Sequence, residues 1–354
     1  MPKPEPRQKL DFERAERQKL VDSGIADVDQ VVELSLRPSK INEFIGQASL
    51  KENIGVALEA AKKRKEPLEH ILLSGPPGLG KTTLAHILAR EMNAKIMATS
   101  GPAIEKAGDL IGILTNLEEG DILFIDEIHR LSKVVEEFVY PAMEDFKIDF
   151  IVDKGPYAKT IKFSLKRFTL IGATTRQGLL SAPLRDRFGM SFHLDFYEIP
   201  DLTKIIERSA KLLSIAIEGN AALELAKRSR GTPRIANRLL RRIRDYAQVK
   251  GVETIDAAAI GNALQSHGID KRGLDNLDRK VLRAILEFYN GGPVGIESLA
   301  ATLNEEADTI VDVVEPFLLK EGFLKRTSRG REATALASQH LKISGSTAND
   351  LFKS

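Results

Sequence analysis

Apolar positions along this chain change their period twice. Between Leu36 and Asp195, short apolar runs alternate with stretches of helical spacing. The runs are HILLSG (70–75), AKIMAT (94–99), DILFIDE (121–127), FTLIGATT (168–175) and SFHLDF (191–196). Runs of this length, alternating with helices, predict strands buried on both faces of a parallel sheet. IPD at 199–201 closes the block. From Leu202 to His267 apolar residues recur at spacings of three and four with no strand-like run, which predicts an all-helical unit. HGIDKRGLDN (267–276) is a polar, glycine-containing linker. Three short helical patterns follow from Leu277, and GFLKRTSRGREAT (322–334) reads as strand, turn, strand. The expected organisation is an arm over 1–33, an α/β domain over 34–198, a helical domain over 199–270 and a C-terminal domain over 271–354.

KIDFIVDKGPYAKTIKFSL (147–165) interrupts the first block with strand-like alternation on both sides of DKGPYA. Ile148, Phe150 and Val152 share one face, and Ile161, Phe163 and Leu165 share the matching face of the partner strand. Ile151 breaks the pattern, so both faces are partly apolar. Such a hairpin serves either as extra core or as a docking surface.

Composition narrows the class. A chain of 354 residues with 42% apolar residues suits a multidomain globular protein. Lys+Arg at 52 nearly balances Asp+Glu at 50, for a net charge of +2, so any nucleic-acid surface must be a local patch. The absence of cysteine excludes disulfides and thiolate metal sites. No apolar run approaches the roughly 20 residues that span a bilayer. The charged start, MPKPEPRQKLDFERAERQKL, lacks the apolar core of a secretory signal. It reads as a flexible arm with helical character from Asp11, and a cytosolic protein is expected.

The candidate chemistry begins at GPPGLGKT (75–82), which fits G-x-x-x-x-G-K-[ST] between an apolar run and a helical one. Gly75, Gly78 and Gly80 let the backbone curl so that its N–H groups face phosphate oxygens, beside a helix N-terminus. Lys81 adds a point charge for the β- and γ-phosphates, and Thr82 offers a hydroxyl to Mg²⁺. Asp126 ends the buried ILFID run, where open α/β sheets bind ligands, and can hold the magnesium through water. Glu127 can orient or deprotonate an attacking water. Thr174 ends another apolar run and is a candidate neighbour of the γ-phosphate. In RGTPRIANRLLRRIRDYAQ (230–248), Thr232 is a natural N-cap and Pro233 suits the first turn. Arg234 is then aimed outward from the helix start, and Arg238, Arg241, Arg242 and Arg244 form a solvated or acid-paired face. In SAPLRDRFG (181–189), Asp186 can serve only one of Arg185 and Arg187, which leaves a guanidinium in search of an anion.

These features, in this order, are the layout of AAA+ ATPases, and the similarity goes further. LRPSKINEFIGQ, SGPPGLGKTTLAHILA, TSGPAIEKAGDL, FIDEIHRLS, YPAMEDF, LIGATTR, PLRDRFG and RGTPRIANRLLRRIRD together resemble the RuvB family of Holliday-junction branch-migration motors. The resemblance extends from about Leu34 to Leu341. It implies an AAA+ P-loop sheet domain, a small helical lid and a C-terminal winged helix. It implies a hexameric ring on duplex DNA working with RuvA and RuvC in recombination and repair, with ATP and Mg²⁺ as cofactors. It assigns phosphate and magnesium binding to Lys81 and Thr82, Walker B roles to Asp126 and Glu127, sensor 1 to Thr174 and sensor 2 to Arg234. Leu36, Arg37 and Tyr197 would border adenine and ribose. Thr83, Gly78 and the Glu144–Asp145–Phe146 segment would lie near the nucleotide. Arg187 would be the finger reaching a neighbour's ATP, with Arg185 paired to Asp186, and the 147–165 hairpin would engage RuvA.

The C-terminal block resembles a winged helix. Its third helical segment, EEADTIVDVVEPFLLKEG, is acidic and contains Pro316, so it makes a poor groove reader. Lys320, Lys325, Arg326, Arg329 and Arg331 cluster at the wing, a pattern that suits backbone phosphates and predicts binding without sequence preference. The resemblance favours Arg326 and Arg331 as the contacts. A protein-remodelling ATPase and a clamp-loader-like switch are the alternatives, and DNA-stimulated, salt-sensitive hydrolysis discriminates against both.

Overall fold

The computed structural model describes residues 35–151 and 160–343. The expected helical character from Asp11, Val152 with the hairpin tip, and the chain's last residues lie outside them.

The apolar runs form a five-stranded, all-parallel sheet in the order β2-β3-β6-β1-β7, with β1 Ile71–Ser74, β2 Ile96–Ser100, β3 Ile122–Asp126, β6 Thr169–Thr174 and β7 Met190–His193. The three central strands are apolar because helices cover both faces, and β1 and β6 are buried at every position. The edge strands β2 and β7 contain no fully buried residue. SFHLDF continues past the strand: pairing stops at His193, and Leu194 to Phe196 carry the chain toward the lid. Alternate residues feed two cores. Ile71, Leu73 and Phe124 face one, Leu72, Leu123 and Ile125 the other.

The first core runs on without a break into the helical region. Helices Ile199–Leu212, Gly219–Lys227, Pro233–Lys250 and Ala257–Ser266 contribute Leu202, Leu225, Leu239 and Ile260 to it. Thr232 does occupy the N-cap position before Pro233, but its hydroxyl donates back to the Ser229 carbonyl at 3.2 Å and makes no capping bond.

The hairpin is present as β4 Lys147–Ile151 and β5 Thr160–Ser164, antiparallel, with Ile148 opposite Phe163 and Phe150 opposite Ile161. At its base Ile148 is fully buried in the second core, and Phe163 and Leu165 pack against it. The base therefore belongs to the core.

A third core belongs to the C-terminal domain. Helices Asn276–Phe288 and Ile296–Leu303 precede a segment that starts as Ala307–Thr309, widens into a π turn over Ile310–Val314 and resumes as Glu315–Lys320. Pro316 has no N–H to offer the carbonyl four residues earlier, which accounts for the widened turn. β8 Leu324–Thr327 and β9 Gly330–Ala333 form the wing, and a final helix, Ala335–Leu341, closes the domain.

Candidate active site

The P-loop joins β1 to the helix Lys81–Met92. Its glycines are required by geometry. Gly75 has φ +133°, and a Cβ there would lie 2.3 Å from the Leu194 carbonyl oxygen; one on Gly78 would lie 2.9 Å from the Arg234 Cβ. The backbone thus passes closer to its neighbours than any side chain permits. Lys81 is buried, its ammonium donating to the carbonyls of Gly75 at 2.7 Å and Pro76 at 2.9 Å. Burial brings its pKa down from 10.5 to about 8.

β3 delivers Asp126 to the same place, where its Oδ2 lies 3.5 Å from the Thr82 hydroxyl. A hydroxyl beside a carboxylate, with the remaining positions left to phosphate and water, suits magnesium. Glu127 follows in a left-handed conformation, φ +48°, and accepts from Arg130 at 3.0 Å. The surrounding cleft, about 230 Å³, is lined by Leu36, Arg37, Gly78, Lys81, Thr82, Thr83, Asp126, Glu127, Tyr197 and Arg234, with Phe44, Ile205, Arg208 and Asn237. Curled backbone, a buried cation, a hydroxyl–carboxylate pair and an apolar end together fit a magnesium-bound nucleotide. Tyr197, buried, hydroxyl donating to the Leu79 carbonyl at 3.2 Å, ties the start of the lid to the P-loop. Burial also raises its phenol pKa. Arg208 donates to the Leu36 carbonyl at 2.8 Å, and the Arg234 amide donates to the Gly78 carbonyl at 3.3 Å. The lid is therefore closed against the loop. Phe44, Ile205, Arg208 and Asn237 escaped the sequence reading because no local pattern marks an adenine-sized cleft assembled from distant segments.

Two expectations about the nucleotide cleft need correction. Thr174 does not face the cleft. It is fully buried, its hydroxyl 2.9 Å from His129 Nδ1 and accepting from the Arg176 amide at 3.0 Å. Successive side chains point to opposite faces at a strand end, so Thr175 lines the cleft instead. Burial lowers the His129 pKa, against the opposing pull of the Glu127 carboxylate.

Glu144, Asp145 and Phe146 also lie away from their own chain's nucleotide cleft. They end and follow the helix Lys133–Glu144, where Glu144 and Phe146 group with Arg187. Arg187 Nε is 3.1 Å from Glu144 Oε1, Nη1 donates to the Pro183 carbonyl at 2.7 Å, and the guanidinium stacks over Tyr140 at 4.5 Å. Phe146 and Arg187 line a second cleft with His70 and Arg167. The Arg187 loop is braced from beneath. Ser181 donates to the buried Glu136 at 2.7 Å, and Tyr140 donates to the same carboxylate at 2.9 Å. Arg185 and Asp186 approach to 3.9 Å on an exposed surface.

The wing also differs from expectation. Arg326 and Arg331 both pair with Glu315, which is fully buried, and the Arg331 side chain is only 15% exposed. Lys320 is turned away from the wing, its ammonium 4.8 Å from the Phe196 ring centroid. Lys325, Arg326 and Arg329 are the exposed cations of the hairpin.

Sheet order, P-loop, Asp126–Glu127 and closing lid define a P-loop ATPase of the AAA+ class. Three family models match in succession: Holliday junction DNA helicase RuvB P-loop domain over residues 36–194, RuvB AAA lid domain over 197–270, and RuvB C-terminal winged helix domain over 271–342. The Holliday junction branch migration complex subunit RuvB of Dehalococcoides mccartyi is 57% identical over 328 residues, 93% of this chain and 94% of the relative. That of Desulfosudis oleivorans is 58% identical over 309 residues, 87% of this chain and 90% of the relative. The structure of the Thermotoga maritima RuvB Holliday junction branch migration motor superposes with a TM-score of 0.81 at 52% identity, over 87% of this chain and 98% of that one. The chain belongs to the RuvB family.

Proposed function

We propose that this chain is an ATP-driven motor that moves Holliday junctions, working as a ring of six copies on duplex DNA with RuvA and RuvC, in the cytoplasm. The curated relatives carry the name of a branch migration complex subunit. The observation that carries the reading is the division of the catalytic set between two surfaces. Lys81, Thr82, Asp126, Glu127, Thr175 and Arg234 line one cleft, whereas Arg187 lies elsewhere, lining a second cleft with Phe146 and paired with Glu144. A chain so built cannot complete its own site. In a ring, the second surface of one copy meets the first surface of the next.

ATP with magnesium supplies the phosphoanhydride whose hydrolysis drives motion. Lys81 and the glycine-rich backbone hold its phosphates, and Thr82 with Asp126 holds the metal. Glu127 accepts a proton from the attacking water once released from Arg130, and Arg234 carries the lid toward the phosphates. Arg187 of the adjoining copy neutralises charge on the transferring phosphoryl group, worth roughly 10³–10⁵ in rate by analogy with GTPases. The Leu36, Arg37 and Tyr197 end of the cleft takes adenine and ribose. The exposed wing cations hold backbone phosphates, with Arg326 braced by Glu315. The part of the hairpin beyond its buried base engages RuvA.

The test is the ATPase rate with and without duplex DNA at two salt concentrations. Stimulation that weakens at the higher salt is expected. A rate indifferent to DNA at both concentrations refutes the reading.

A further inference from the structure

The strand that ends beside the nucleotide cleft is held from outside the ATPase domain. Arg176 stands two residues past Thr174. Its guanidinium makes a bidentate pair with Asp312, Nε to Oδ1 at 2.7 Å and Nη2 to Oδ2 at 2.8 Å. The same Nη2 reaches Asp308 Oδ1 at 2.8 Å. Both acids belong to the C-terminal domain, more than 130 residues away in sequence. Asp312 lies within the π turn, and its side chain is 29% exposed against 24% for Arg176. A planar guanidinium gripped at two points and partly shielded from water fixes orientation as well as distance. Asp308, 79% exposed, adds little on its own.

The inner end of this connection meets the catalytic set. The Arg176 amide donates to the Thr174 hydroxyl, which is bonded in turn to His129, two residues beyond Glu127. Thr175, between Thr174 and Arg176, lines the cleft. Three bonded links therefore run from Asp312 through Arg176 and Thr174 to His129, which stands two residues past Glu127 in the Walker B segment. Arg176 itself does not line the cleft.

We infer that Asp312, assisted by Asp308, is a positioning residue for hydrolysis: through Arg176 the winged-helix domain fixes the end of β6, so the placement of the DNA-binding domain sets the turnover rate. This rests on the ATPase reading of the cleft. The acidic segment that is unsuited to reading DNA thus meets the ATPase domain through Asp312 and Asp308.

The test uses the full chain under ring-forming conditions and compares wild type, Arg176→Ala, Asp308→Asn/Asp312→Asn and all three changes combined. Each of the first two variants lowers kcat about tenfold, about 1.4 kcal/mol, while KM and the affinity for a fluorescent ATP analogue stay within about twofold. The combined variant is no slower than either parent, because all three break one connection. Arg176→Lys, which keeps the charge but loses the fork, recovers part of the rate. Asparagine is nearly isosteric with aspartate, and thermal unfolding confirms that each variant is folded. A kcat unchanged in the folded Asp308→Asn/Asp312→Asn variant overturns the inference, as does a combined variant whose losses multiply. A wild-type protein without hydrolysis overturns the ATPase reading, and the inference with it.

Discussion

Lys81 makes nucleotide affinity depend on pH in a direction opposite to stability. Burial brings its ammonium from 10.5 down to about 8, which costs about 3 kcal/mol at about 1.4 kcal/mol per pH unit. Below pH 8 the group is charged in the free protein, and affinity for a nucleotide is flat. Above pH 8 the free protein has lost the proton, whereas anionic phosphates favour the charged form, so binding must take a proton up. The dissociation constant then climbs toward tenfold per pH unit, and at pH 9 it is about tenfold above its value at pH 7. Stability of the free protein runs the other way. Between about 8 and 10.5 the unfolded chain binds the proton that the folded one has released, so this group's contribution to stability rises with pH. Titration with a fluorescent ATP analogue at pH 7, 8 and 9 measures the first effect, and calorimetry in two buffers of different ionisation heat counts the proton. Lys81→Met binds weakly, with no such slope. Equal affinities for the wild type at pH 7 and 9, or proton release on binding, refute the reasoning.

Three further outcomes follow from the same geometry. Gly75→Ala, whose Cβ has no room beside the Leu194 carbonyl, weakens nucleotide binding by at least about tenfold in the same titration. Thr175→Val lowers kcat and leaves the melting temperature alone, whereas Thr174→Val strips His129 and the Arg176 amide of their partner, so it costs about 1–3 kcal/mol of stability and lowers kcat as well, read by thermal unfolding and steady-state kinetics. Glu315→Leu strands Arg331 in the base of the wing and destabilises the C-terminal domain by about 3–5 kcal/mol, read as an earlier unfolding transition.

The sheet, the P-loop and Asp126–Glu127 were legible because their signals are local: a buried run, a fixed glycine spacing, two acids ending a strand. Other features depend on facts that sequence spacing does not carry. Whether Thr174 or Thr175 meets the cleft is decided by a one-residue alternation at the strand end, which the polar pair TT cannot reveal. The family resemblance put Glu144–Phe146 near the nucleotide, yet in the folded chain none of the three lines the cleft. The wing arginines read as one basic cluster because Glu315, their buried partner, lies 11 and 16 residues away across the turn into β8 and β9. Lys320 belonged to that cluster by sequence and left it by packing on Phe196.

The account stands on the claim that Arg187 completes the site of an adjoining copy. Mixing Arg187→Ala subunits with Glu127→Gln subunits under ring-forming conditions tests it directly. Each variant alone is nearly inactive, and the mixture regains hydrolysis wherever an intact Arg187 faces an intact Glu127. Mixtures that never exceed their parents, in rings shown to contain both variants, contradict it.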